Sequence, residues 1–120
     1  MKYSDYKFSL DIHSVDTPVS LAVKKGDTNR RICITLRENG SIYPISEGCS
    51  ASLKVNTPDG VVKASCTFDD NVILCPLSAD MTSKTGKFES DIALTEGTQK
   101  LTTPKFYIIV DDTLEEVSSE

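Results

Sequence analysis

Leu53-Lys54-Val55-Asn56-Thr57-Pro58-Asp59-Gly60-Val61-Val62-Lys63-Ala64-Ser65-Cys66-Thr67-Phe68 reads as strand, turn and strand. Before the turn, Ala51, Leu53 and Val55 alternate with Ser52 and Lys54. After it, Val62, Ala64, Cys66 and Phe68 alternate with Lys63, Ser65 and Thr67. A period of two puts one set of side chains on a buried face and the other in water, which is the pattern of a half-buried strand. Pro58 presets φ for a turn, and Gly60 can take the positive φ that such turns use.

The same alternation continues in both directions. Phe8, Leu10 and Ile12 share a face, as do Val19, Leu21 and Val23, then Ile32, Ile34 and Leu36. Later come Phe88, Ile92 and Leu94, then Phe106, Ile108 and Val110. Turn residues separate the runs: Gly26-Asp27, Asn39-Gly40, Glu47-Gly48, Asp69-Asp70-Asn71 and Glu96-Gly97. Asn-Gly between alternating runs is the strongest two-residue hairpin signal. Many short strands with such punctuation predict an all-β protein, an antiparallel sandwich or barrel. Only Pro76–Ser83 departs from this, and it is expected to hold one helical turn, with Ser78 as N-cap, crossing between sheets.

The chain has 120 residues, of which 38% are hydrophobic and 26% charged, a composition suited to one globular domain. The net charge of −5 argues against binding to a phosphate backbone. No run approaches the roughly 18 apolar residues of a membrane helix. The N-terminus lacks the apolar core of a signal peptide, so synthesis and folding in a cytoplasm are expected. Residues 1–110 are expected to form the domain. Residues 111–120 carry five acids and no base, and read as an acidic tail or a linker to a C-terminal region absent from this chain.

Little in the sequence points to catalysis. His13 is the only histidine and reads as an exposed loop residue, so any histidine-dependent nucleophilic site would have to use it. Asp69-Asp70 and Asp111-Asp112 read as solvated turn and tail, and a calcium loop at Asp69-Asp70-Asn71 lacks the spaced oxygen ligands of a dedicated site. Cys33, Cys49, Cys66 and Cys75 contain no C-x-x-C pair. Reduced, mostly buried thiols are the first expectation and a structural disulfide the second, with a metal site behind both. Tyr3, Tyr6, Tyr43 and Tyr107 are candidate ring-stacking residues for a sugar or a partner. No catalytic residue, cofactor or metal ligand is assigned.

Several segments occur in a distinctive order: Val23-Lys24-Lys25-Gly26-Asp27-Thr28-Asn29, Ile32–Leu36, Asn39-Gly40, Pro58-Asp59-Gly60, Ser78-Ala79-Asp80-Met81 and Leu101-Thr102-Thr103-Pro104-Lys105-Phe106. This order resembles the N-terminal domain of the baseplate upper proteins of tailed phages and prophages of Gram-positive bacteria, over about residues 6–110. The resemblance implies an immunoglobulin-like sandwich without enzymatic activity. It also implies docking onto the central baseplate hub (distal tail) protein, with a downstream region, absent here, that holds the receptor-binding protein. A multimeric place in the virion tail follows, with no nucleic-acid or membrane partner. Two docking surfaces are considered: a basic segment formed by Lys24, Lys25, Arg30 and Arg31, and the first strand, Lys7–Ile12, as an edge. The alternative function is a carbohydrate-binding or adhesin-like domain.

Overall fold

In the computed structural model, which describes residues 1–13 and 18–112, the alternating runs form strands. In chain order these are β1 (Ser4–Asp11), β2 (Ser20–Lys24), β3 (Arg30–Glu38), β4 (Ser41–Ile42), β5 (Ser50–Thr57), β6 (Gly60–Asp69) and β7 (Val72–Pro76). A single turn, α1 (Ala79–Thr82), precedes β8 (Gly86–Glu96), β9 (Gln99–Thr102) and β10 (Phe106–Asp111). The tail lies outside the described residues from position 113 on.

The Thr57–Gly60 turn closes the β5–β6 hairpin as its residues require. The Thr57 hydroxyl donates to the Gly60 carbonyl at 2.7 Å and accepts from the Asp59 amide at 3.2 Å. Gly60 has φ +114°. Asn39 (φ +51°) and Gly40 (φ +89°) make the tight β3–β4 turn, where both central residues need positive φ.

The sheet runs in the order β1-β3-β7-β6-β5-β8-β10-β2, with β4 on β3 and β9 on β8. Strand β6 makes this one folded sheet. Its first part, Gly60 to Cys66, pairs with β5, and Thr67 to Asp69 pair with β7. The chain thus turns the corner between two half-sheets within a single strand. The result is a nearly closed all-β sheet, open between β1 and β2. Across that opening the Tyr6 hydroxyl donates to the Ala22 carbonyl.

The expectation of a wholly antiparallel sheet is corrected at both edges. β1 pairs parallel with β3, Ser4 opposite Arg30 through Asp11 opposite Arg37. β2 pairs parallel with β10, Ser20 opposite Tyr107 through Lys24 opposite Asp111. The reason is connectivity. From β1 the chain crosses to the other half-sheet to lay down β2, then crosses back to β3, and a double crossing of this kind returns the chain in the same direction.

The inward faces interdigitate in one core. Ile32, Ile34 and Leu36 of β3 meet Leu53 and Val55 of β5, Ile73 of β7, Ile92 of β8, and Phe106 and Ile108 of β10, all fully buried. Each such side chain contributes about 1.5–3 kcal/mol relative to an exposed position. Phe8 from β1 packs edge-on against Phe106, with ring centroids 5.5 Å apart, and so ties the edge strand to the core.

The crossover after β7 is the expected helical turn, and Leu77 and Met81 plug one end of the core. Ser78 takes N-cap geometry (φ −81°, ψ 162°), but its hydroxyl makes no capping bond. Cap formation here is left to the backbone, with the Met81 amide donating to the Ser78 carbonyl at 3.0 Å.

One more device shapes the sheet near β9. Thr102 opposes Ala93, and Phe106 opposes Ser90, so β9–β10 has one residue more than the facing stretch of β8. Thr103 holds this bulge from inside. Its amide donates to the Ile92 carbonyl at 2.9 Å, and its buried hydroxyl accepts from the Ile92 amide at 3.0 Å. Pro104 follows, where no ladder donor is needed.

Candidate partner-binding surface

The segment between β2 and β3 is a fixed loop at one end of the sheet opening. Gly26 has φ +88°, a conformation that favours glycine. Its amide donates to the Thr82 carbonyl at 2.9 Å, and the Thr82 hydroxyl returns a bond to the Asp27 carbonyl at 2.8 Å. The Lys25 amide donates to the Asp111 carbonyl at 2.8 Å. Asp27 folds back over its own loop, its carboxylate accepting from the Lys24 amide at 3.3 Å and from Arg30 Nε at 2.9 Å. Lys25, Gly26 and Asp27 therefore fasten β2, β3, β10 and α1 together.

The four basic residues do not form one patch. Arg30 and Arg31 are consecutive on β3 and point to opposite faces, as strand geometry demands. Arg30 sits at the opening, paired with Asp27 and lying 5.6 Å from the centre of the Tyr6 ring. Arg31 lies on the outer face, where Nε and Nη2 each reach a different oxygen of Asp5 at 2.9 Å. That fork holds the Asp5 carboxyl below its ordinary range and raises the Arg31 guanidinium. Tyr3 covers the same guanidinium at 5.1 Å. Among the described residues no ion pair engages Lys24 or Lys25, and both are exposed.

Among the described residues, strand β1 is an edge strand, with β3 as its one ladder neighbour. It begins beside the basic loop, the Ser4 amide donating to the Asn29 carbonyl at 2.8 Å. The start of β1, three residues before the Lys7–Ile12 stretch singled out from sequence, thus adjoins the loop at one end of the molecule. A shallow groove of about 530 Å³ lies there, lined by Met1, Ser4, Gly26, Asp27, Asn29 and Arg30 among others.

The remaining candidates have local partners. His13 Nε2 lies 3.0 Å from Glu38 at the exposed surface. Asp11 accepts from the amides of His13 at 3.0 Å and Gly40 at 2.9 Å, which holds its carboxyl below the usual range. Asn71 serves its neighbours, accepting from the Ile45 amide at 3.0 Å. Among the described residues, no group of three or more His, Cys, Asp or Glu is placed to hold a metal ion. No described helix is long and apolar enough to cross a membrane.

The tyrosines do not make a common platform. Tyr3 covers Arg31, Tyr6 bridges the opening, and Tyr107 lies under Lys87 Nζ at 4.6 Å on the outer face of β10. Tyr43 lines a separate cleft of about 430 Å³ with Pro44, Cys49, Glu96 and Leu101. Sequence reading did not single out this cleft, because its walls come from the loop after β4 and the β8–β9 hairpin, which are distant in the chain.

Fold and surface together define a small all-β module whose conspicuous features are an open sheet edge and an anchored basic loop. The chain matches no protein-family model and no curated protein. Among solved structures it is similar to the N-terminal domain of phage TP901-1 ORF48, with a TM-score of 0.69 and 20% sequence identity. The similarity covers 89% of this chain and 98% of that one. The two therefore share a fold over nearly the whole of each domain.

Proposed function

We propose that this chain is a non-enzymatic structural module of a phage or prophage baseplate, with an immunoglobulin-like sandwich that docks a receptor-binding assembly onto the tail-tip hub. The observation that carries this reading is the near end-to-end likeness to the N-terminal domain of a phage protein. The order of motifs from Val23-Lys24 to Pro104-Lys105-Phe106 agrees with it. In this reading the hub protein covers the end formed by Lys24, Lys25 and the start of β1, where an unpaired strand edge and uncompensated charge adjoin. Arg30 and Arg31 hold that surface in shape through Asp27 and Asp5. Many copies on a symmetric hub turn a modest patch into firm attachment. The virion tail is then the protein's place of action.

The test is a capture experiment with the hub (distal tail) protein, comparing wild type with K24E/K25E, and light scattering to show that both remain equally folded and dispersed. Capture weakened by roughly tenfold or more by the charge reversal supports docking through this loop. Undiminished capture refutes this surface, and absence of capture by wild type refutes the docking function.

A second reading, a carbohydrate-binding or adhesin-like domain, is favoured by the cleft at Tyr43, which pairs an aromatic ring with Glu96 and Gln99. Binding of cell-wall polysaccharide by wild type and its loss in Tyr43→Ala would select it.

A further inference from the structure

Cys66 and Cys75 face each other where β6 turns the corner between the half-sheets. The β6–β7 ladder pairs Asp69 with Val72, Phe68 with Ile73 and Thr67 with Leu74, so the next step in the same register sets Cys66 opposite Cys75. Their sulfurs are 2.6 Å apart, and both cysteines are free. Both side chains point into the core face, with Val62, Ala64 and Phe68 on β6 and Ile73 on β7. Cys33 is on β3 opposite Leu74, one position out of phase with Cys75, and so points to the other side of the sheet. Cys49 belongs to the Tyr43 cleft.

We propose that Cys66–Cys75 is a site of cross-strand disulfide formation, oxidised by a low-molecular-weight disulfide such as oxidised glutathione. The two cysteines are differently placed for the reaction. Cys66 is half-buried and open to a small oxidant, whereas Cys75 has no exposed surface. A hydrogen bond from Cys75 holds the Cys66 thiol below its usual range, while that same neighbour and burial push Cys75 up.

Cys66 therefore loses its proton to solvent and attacks one sulfur of the oxidant. This forms a mixed disulfide and expels a thiolate, which takes up a proton. Cys75 then gives up its proton and attacks Cys66 Sγ, expelling the second thiol. Two protein thiols and one small disulfide become one protein disulfide and two small thiols. The bond closes a short loop around Asp70-Asn71 and pins the corner that β6 makes. It is independent of the docking function. A chain made in a reducing cytoplasm and later exposed to an oxidising medium passes from one form to the other.

The experiment exposes the full chain to oxidised glutathione, blocks remaining thiols with iodoacetamide and digests with trypsin. Cys66 and Cys75 then share the peptide Ala64–Lys84, while Cys33 and Cys49 fall on separate peptides. The expected result is that Ala64–Lys84 loses two hydrogens and carries no alkyl group, with Cys33 and Cys49 alkylated. Cleavage before Asp69 and Asp70 should leave its two halves joined until reductant is added. In Cys75→Ala a stable glutathione adduct on Cys66 is expected instead. Alkylation of both cysteines in oxidised wild type, a persistent glutathione adduct on wild-type Cys66, or a cross-link to Cys33 or Cys49 would overturn the proposal.

Discussion

Replacing Thr103 with valine removes one oxygen from the interior and almost nothing else. Thr103 is 4% exposed, and Ile92, whose amide it receives, is fully buried. The hydroxyl accepts from that amide at 3.0 Å and donates to the Pro104 carbonyl at 3.1 Å. Valine keeps the shape and the bond from its own amide to the Ile92 carbonyl, but leaves the Ile92 amide without a partner and without water. An orphaned buried donor costs about 1–3 kcal/mol. For a chain of this size that is a fall in melting temperature of about 4–12 °C, at roughly 4 °C per kcal/mol. Thermal unfolding followed by circular dichroism measures it. Thr103→Ser, which restores the oxygen, should recover most of the loss. A valine variant within 1 °C of wild type would show that the bulge is held by something other than this hydroxyl.

Three further outcomes are expected. Gly86→Ala should cost more than about 2 kcal/mol by urea denaturation, because φ is +147° and the added Cβ would stand 2.7 Å from the Phe88 ring. Phe106→Ala should cost about 3–5 kcal/mol in the same assay, since it empties a fully buried site and removes the partner of Phe8. The Asp5 carboxyl is lower in the folded chain than in the unfolded one, chiefly through its bond to Arg31. Its contribution is therefore complete above the ordinary carboxylate pKa of about 3.9 and is lost as pH falls through the folded value. Asp5→Asn should accordingly shallow the drop in urea midpoint below about pH 4. An unchanged acid limb would remove Asp5–Arg31 from the account.

Much of the sheet was readable because alternation reports which way a side chain faces. Ile32, Ile34 and Leu36 are buried as their spacing demands, and Asn39-Gly40 and Thr57–Gly60 turn the chain where they stand. Alternation does not report which strand lies alongside. The parallel partners of β1 and β2 come from crossings between half-sheets, and nothing in Phe8-Ser9-Leu10 names β3 as a neighbour. For the candidate surface, period two itself carried a signal: consecutive Arg30 and Arg31 cannot share a face. Their carboxylate partners divide between a local turn residue, Asp27, and the remote Asp5, and only the former lies within reach of a sequence pattern. The contact of Cys66 with Cys75 follows from a two-residue turn at Asp70-Asn71, once that turn is taken to set the register of the strands beside it.

The pairing of β2 with β10 sets a timetable. The central hairpin β5–β6 and the β6–β7 turn close over short stretches of chain and can form early. Strand β2 is the second of the described strands to be made, yet the strand it pairs with is the tenth. During synthesis Leu21 and Val23 must wait, uncovered, for Ile108 and Val110 to emerge. The order of manufacture thus leaves the apolar face of β2 in need of shelter until β10 arrives.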